Sequence, residues 1–173
     1  MIEPYLGHWP QIDPSAFVHP SAVIIGRVTI GPEASIWPGT VLRGDDGEIV
    51  IGARSSIQDG TVIHATENMS RTVIGECVTV GHRVVLHGCV VHDHCIIGMG
   101  SVLLDNAVVE DHVILGAASL LPMNKRIPAG QMAYGNPAKV ARALTPKDLE
   151  WIAYSWRRYV ENAALFRAQH SGG

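Results

Sequence analysis

The 173-residue chain is short of several things that would assign it to a special class. It has only three cysteines, Cys77, Cys89 and Cys95, an odd number with no CxxC pair among them. That argues against a disulfide framework and against a thiolate zinc site, and leaves them as reduced packing residues. Charge is also scarce: the net value is −3 at pH 7, with no basic run. Nothing in that balance offers an electrostatic surface for nucleic acid or for a membrane. No apolar run approaches the roughly 18 residues of a membrane span, and no N-terminal stretch has the pattern of a signal peptide. The expected compartment is the cytoplasm, and the length suits one well-buried domain.

What the chain has in abundance is repetition. From Ile12 an aliphatic residue recurs every six positions: Ile12, Val18, Ile24, Ile30, Ile36, Leu42. After the insertion GDDGE the series resumes at Ile51, Ile57 and Ile63, and after a second slip over residues 69–73 at Ile74, Val80 and Leu86. A five-residue step then starts Val91, Ile97, Leu103, Val109, Leu115, Leu121, so eighteen units are phased with three slips. Small or β-branched residues such as Ala22, Ala34, Thr61, Ser101 and Ser119 follow four places later. Neither an amphipathic helix nor simple strand alternation has a period of six. Short β segments joined by Gly- and Pro-rich turns do, as a parallel β-helix with one flat face per hexapeptide.

The pattern is similar to the hexapeptide-repeat family, and that resemblance implies a mainly β fold, a left-handed parallel β-helix of triangular section. Coils are expected over residues 12–126, about six of them, within a β-helix and exit loop spanning 1–144. Residues 145–169 read as a C-terminal amphipathic helix packing on it. Thr145 is its cap, Pro146 its first residue and Asp148 an acid near the positive end. Leu149, Ile152, Trp156, Tyr159, Ala163 and Phe166 form its apolar stripe.

Phasing the faces turns positions in successive coils into rungs about 4.8 Å apart. On the third face, the residues just after the inward aliphatics are Arg43, His64 and His87. Two imidazoles one rung apart can share one ion, each with a nitrogen about 2.1 Å away. His82 belongs to a different ladder, on the second face above Asp59 with Gln58 beside it. A catalytic zinc typically takes three protein ligands and keeps one position open. Packing around a threefold axis would bring the third face of one subunit against the second face of the next.

Three motifs, RGD at Arg43–Asp45, QDGTVIH at Gln58–His64 and GHRVVLHG around His82 and His87, resemble the motif set of the γ-class carbonic anhydrases. The resemblance implies a homotrimer with His64, His82 and His87 as metal ligands shared between subunits, the metal being zinc, or iron or cobalt in its place. It implies a lyase of the carbonate dehydratase type, hydrating carbon dioxide to bicarbonate with a hydroxide generated on the metal. Arg43 and Asp45 become an intersubunit ion pair, Gln58 the group that orients the attacking water, and Asp59 a partner close to the ligands. Val62 would offer an apolar wall to the substrate, and Glu67 would carry the proton away. Tyr134 and Asn136, in YGNPAK, are candidates to face the site.

Two departures keep other functions open. The well-known active members carry a long acidic loop after the first ligand, where this chain has only ATENMSRT, and Ser56 stands where they often have asparagine. A CoA-thioester hydrolase or acyltransferase of the hexapeptide-repeat family is the first alternative. A catalytically silent trimeric metal-binding scaffold is the second. His92 and His94 read as residues of a solvated strand with no metal role.

Overall fold

The structure, a computed structural model, describes residues 1–170, the side chain of His170 excepted. It is a mainly β solenoid of about seven turns, a left-handed β-helix of hexapeptide repeats, followed by one helix. Each aliphatic position of the six-residue series stacks on its counterpart one coil away. On the first face the rungs are Ile12, Ile30, Ile51, Ile74, Val91, Val109 and Ile127. On the second they are Val18, Ile36, Ile57, Val80, Ile97, Leu115 and Ala133. On the third, Ile2 lies below Ile24, Leu42, Ile63, Leu86, Leu103 and Leu121. All pairs are parallel, so a rung of three short strands closes a triangle and the next rung repeats it. From Ile24 to Leu115 these side chains are at most 1% exposed. Burying each contributes about 1.5–3 kcal/mol, which drives the coiling.

The small positions close the corners. Ser55 Oγ donates to the carbonyl of Gly75 (2.7 Å), Thr61 Oγ1 to Gly81 (3.0 Å) and Ser101 Oγ to Gly116 (3.1 Å). Each of these three hydroxyls reaches the coil above, so burial of a polar atom is offset by a hydrogen bond along the stack. Among the described residues no buried side-chain nitrogen or oxygen lacks a partner.

The repeat runs further than residue 126. Ile127 and Ala133 continue the first and second faces, and Gln131–Gly135 then turns back on Ala138–Ala143 as an antiparallel hairpin. The hairpin ends the stack by pairing its last edge, which would otherwise be open. His92 and His94 lie at a corner, not on a strand: His94 has φ 55° and its ring stacks on that of His112.

The helix Pro146–His170 runs along the second face. Its start is a reciprocal cap: Asp148 N–H donates to Thr145 Oγ1 (3.3 Å) and Thr145 N–H to Asp148 Oδ2 (2.7 Å). Ile152 and Ala163 are buried, and Tyr159 and Phe166 pack on Trp37, with Phe166 also against Phe17. Leu149, expected in this stripe, remains 42% exposed. Ser155 Oγ meets Thr79 Oγ1 at 3.0 Å, and near the far end Arg167 donates to the carbonyls of Ser15 and Pro14 in the first coil.

Candidate metal centre

The third face carries the histidine ladder in the register the repeat implies. His64 and His87 are rung partners, and Arg43 stands one rung below His64, following the pairing of Leu42 with Ile63. The two rings face each other edge-on, with His64 Nδ1 and His87 Nε2 3.2 Å apart. The outer nitrogens each meet a carboxylate. His64 Nε2 lies 3.0 Å from Asp45 Oδ1 and 3.3 Å from Asp46 Oδ2, and His87 Nδ1 lies 3.2 Å from Asp105 Oδ2. An ionised carboxylate only accepts, so His64 donates from Nε2 and His87 from Nδ1. Both inner nitrogens are thereby left as lone pairs facing one gap.

Asp45 and Asp46 come from the GDDGE insertion, which Val41–Ile51 crosses as one strand around the corner. Arg43 and Asp45, two residues apart on the same side of that strand, pair within the chain. Burial pushes the Asp45 carboxyl up. The amides of Asp46 and Asp45, with Arg43 and His64, outweigh that and hold it below its ordinary value.

Asp105 is the residue that motif reading missed. It is 8% exposed and holds three groups at once: His87, Ser70 Oγ (2.5 Å) and Thr66 Oγ1 (3.2 Å). Burial pushes its carboxyl up, but Ser70, His87 and Thr66 together bring it below the ordinary value. Its signal was in the repeat, because the register that puts Leu103 over Leu86 puts Asp105 over Gly88. Gly88 is needed there: its φ is +65°, and a Cβ would lie 2.1 Å from both Asp105 Oδ1 and Ser70 Oγ.

His82 lies on the second face, with Nδ1 3.0 Å from Asp59 Oδ2 one rung below. Both side chains are about half exposed. Gln58 is buried under the helix, where it faces the Tyr159 hydroxyl, instead of pointing to open solvent. Burial and the Asp59 carboxylate hold the Tyr159 hydroxyl above its ordinary value. Gln58 and His82 line one cleft of about 400 Å³ between the second face and the helix, with Trp151, Tyr154 and Met99. Ser56 is buried too, and its hydroxyl accepts a bond from Trp37 Nε1 at 2.9 Å.

Glu67 is exposed on the turn after His64, within the segment that Thr66 and Ser70 tie to Asp105. Tyr134 and Asn136 are not brought to the histidines of this chain. Tyr134 follows Ala133 on the second face, three rungs or about 14 Å above Gly81, and Asn136 sits in the hairpin turn beyond it.

Three histidines on two faces, each backed by a carboxylate, frame the comparison with known proteins. Residues 10–44 and 71–105 match the family model described as bacterial transferase hexapeptide (six repeats). A carbonic anhydrase of Geobacillus kaustophilus is 45% identical over 97% of this chain and 92% of its own length. The chain belongs to the γ-carbonic anhydrase family of hexapeptide-repeat proteins. Within that family, γ carbonic anhydrase 2 of Arabidopsis thaliana mitochondria is 46% identical over 94% of this chain. The chain spans about 60% of that plant protein's length. A hexapeptide transferase family protein from Anaplasma phagocytophilum, solved by crystallography, is 41% identical with a TM-score of 0.91, over 94% of this chain and 96% of its own.

The γ-family fold implies a metal, and the side chains here fit one. Two nitrogens, each about 2.1 Å from a tetrahedral ion, stand about 3.4 Å apart, close to the 3.2 Å between His64 and His87. A ring nitrogen bound to a carboxylate on its far side is the usual support for a metal-ligating histidine. Asp45, Asp46 and His64 also form a donor group of their own, all within 4.8 Å of one another. Because Asp45 and Asp46 take the outer nitrogen of His64, they act in this arrangement as the support of that ring.

Proposed function

We propose that this protein is a γ-class carbonic anhydrase, interconverting carbon dioxide and bicarbonate at zinc centres shared between the subunits of a homotrimer. The observation that carries this reading is the pair of inner nitrogens on His64 and His87, held 3.2 Å apart by carboxylates behind both rings. His82, on the neighbouring face with Asp59 behind it, would complete the ligand set of the next subunit. Iron or cobalt would suit the same nitrogen donors. A metal held there would supply Lewis acidity, lowering the pKa of water to about 7.

The chain's own groups do the rest. Neutral imidazoles leave the metal its full charge. Val62, 40% exposed, stands outward beside His64 and over it Val85, an apolar wall for a nonpolar substrate. Gln58, on the side of His82, would hold the attacking water, its amide able to donate or accept. Glu67, on an exposed turn beside His64, would take the released proton to solvent. We place the protein in the cytoplasm, in keeping with three buried cysteines that form no disulfide. No helix among the described residues is long and apolar enough to cross a membrane.

A second reading is supported by the likeness to the hexapeptide transferase family protein: the same metal chemistry turned on a CoA thioester. Carbon dioxide hydration and thioester turnover, measured side by side on metal-loaded protein, separate the two. The shared site is tested by mixing. Neither His64→Ala nor His82→Ala trimers should hold metal at the site, whereas a random 1:1 mixture should recover about a quarter of the wild-type content, one intact contact in four. Full metal affinity in His82→Ala alone would refute a site built by two subunits.

A further inference from the structure

We propose that Asp105 is a positioning residue that fixes His87 with Nε2 aimed into the His64–His87 gap and ties the Thr66–Ser70 turn to the same carboxylate. The inference rests on the metal reading above for its consequence, and on geometry alone for its substance. Asp105 comes from a coil above both groups it holds, so the three contacts are not made by neighbours in sequence. Its Oδ2 lies 3.2 Å from His87 Nδ1 and 3.2 Å from Thr66 Oγ1, and its Oδ1 lies 2.5 Å from Ser70 Oγ and 3.3 Å from His87 Nδ1.

A neutral imidazole can carry its proton on either nitrogen, and only one of the two tautomers offers a lone pair to the gap. A buried carboxylate that can only accept selects Nδ1–H. The two hydroxyls donate to the remaining lone pairs of Asp105 and keep it from rotating away. Ser70 Oγ also accepts from the Thr66 amide (3.1 Å), so the turn closes on itself and on Asp105 together. Glu67 lies inside this closed turn. One carboxylate therefore sets both the ligand and the segment that presents the proton carrier, in a chain whose loop after His64 is short.

The test is the tautomer of His87, read from its imidazole nitrogen chemical shifts in metal-free protein at a pH where the ring is neutral. Wild-type protein should show Nδ1–H. Asp105→Ala should give a mixture, and Asp105→Asn, which keeps an oxygen acceptor without the charge, should fall between. Amide exchange of residues 66–70 should speed up in Asp105→Ala and not in His87→Ala. Zinc affinity, by chelator competition, should fall about 10- to 100-fold in Asp105→Ala and by less in Asp105→Asn. If Asp105→Ala does not fold, Asp105→Asn decides. A His87 tautomer and a turn exchange rate unchanged in the folded variants would overturn the inference. If both respond while zinc affinity is indifferent to His87→Ala, the positioning role stands and the metal reading falls.

Discussion

Replacing Gly88 by alanine attacks the carboxylate clamp without removing any of its members. The backbone at Gly88 has φ +65°, where an L residue costs about 1–2 kcal/mol. The new methyl would meet Asp105 Oδ1 and Ser70 Oγ at 2.1 Å and Ser70 Cβ at 2.6 Å, so carboxylate and hydroxyl must part. Losing one hydrogen bond to a charged group costs about 1.5–3 kcal/mol. The sum is about 2.5–5 kcal/mol. Gly130 is the control: its φ is +70° and nothing lies within 4 Å of its Cβ position, so Gly130→Ala should cost only the backbone share, about 1–2 kcal/mol. Urea denaturation of the two variants and the wild type, at one fixed protein concentration because assembly contributes to stability, measures the difference. Equal losses at Gly88 and Gly130 would refute the packing argument, since both share the backbone term and only Gly88 carries the clash.

Glu67→Gln should lower kcat for carbon dioxide hydration with little change in KM, and added imidazole buffer should restore part of the loss. The buried thiols Cys89 and Cys95, both pushed up to about 12 by burial, should stay unlabelled by a thiol reagent near neutral pH until the protein is denatured. The carboxyl of Asp148 is held far below its ordinary 3.8 by Arg142 and then by the hydroxyl and amide of Thr145. A carboxyl depressed in the folded state stabilises above its unfolded value and loses that contribution as pH falls through the folded one. The first turn of the helix should therefore fray only in strong acid, and Asp148→Asn should fray it at neutral pH, as amide exchange of residues 146–150 would show.

Much of the fold could be read from the sequence because the inward position of a β-helix admits little besides an aliphatic. From Ile24 to Leu121 each phased residue is an inward one. Reading stopped a coil early because Ala133 is small and its flanks, GQMAYG, look like a turn; only pairing with Leu115 makes it a rung. The histidine ladder was legible for the same reason as the core, since register carries over to the residue beside each aliphatic. Which outward side chains meet the C-terminal helix was not. Trp37 packed against Tyr159 and Phe166, and Gln58 turned to Tyr159, depend on a helix more than a hundred residues further along, which no local pattern encodes. Asp105 lies between these cases: its rung was fixed by the period, but its meaning came only with Ser70 and Thr66 beside it.

A stack of coils in which each touches only its neighbours should melt from its ends, one rung at a time. The C-terminal helix changes that. It leaves the last coil, bonds Thr79 midway through Ser155, and finishes with Phe166 against Phe17 and Arg167 on the carbonyls of Pro14 and Ser15. The first coil thus cannot peel off without releasing the chain's other terminus, and the linear stack acquires the closed connectivity of a ring. Unfolding should then be a single cooperative event, with the histidine rungs, in the middle of the stack, protected from both directions.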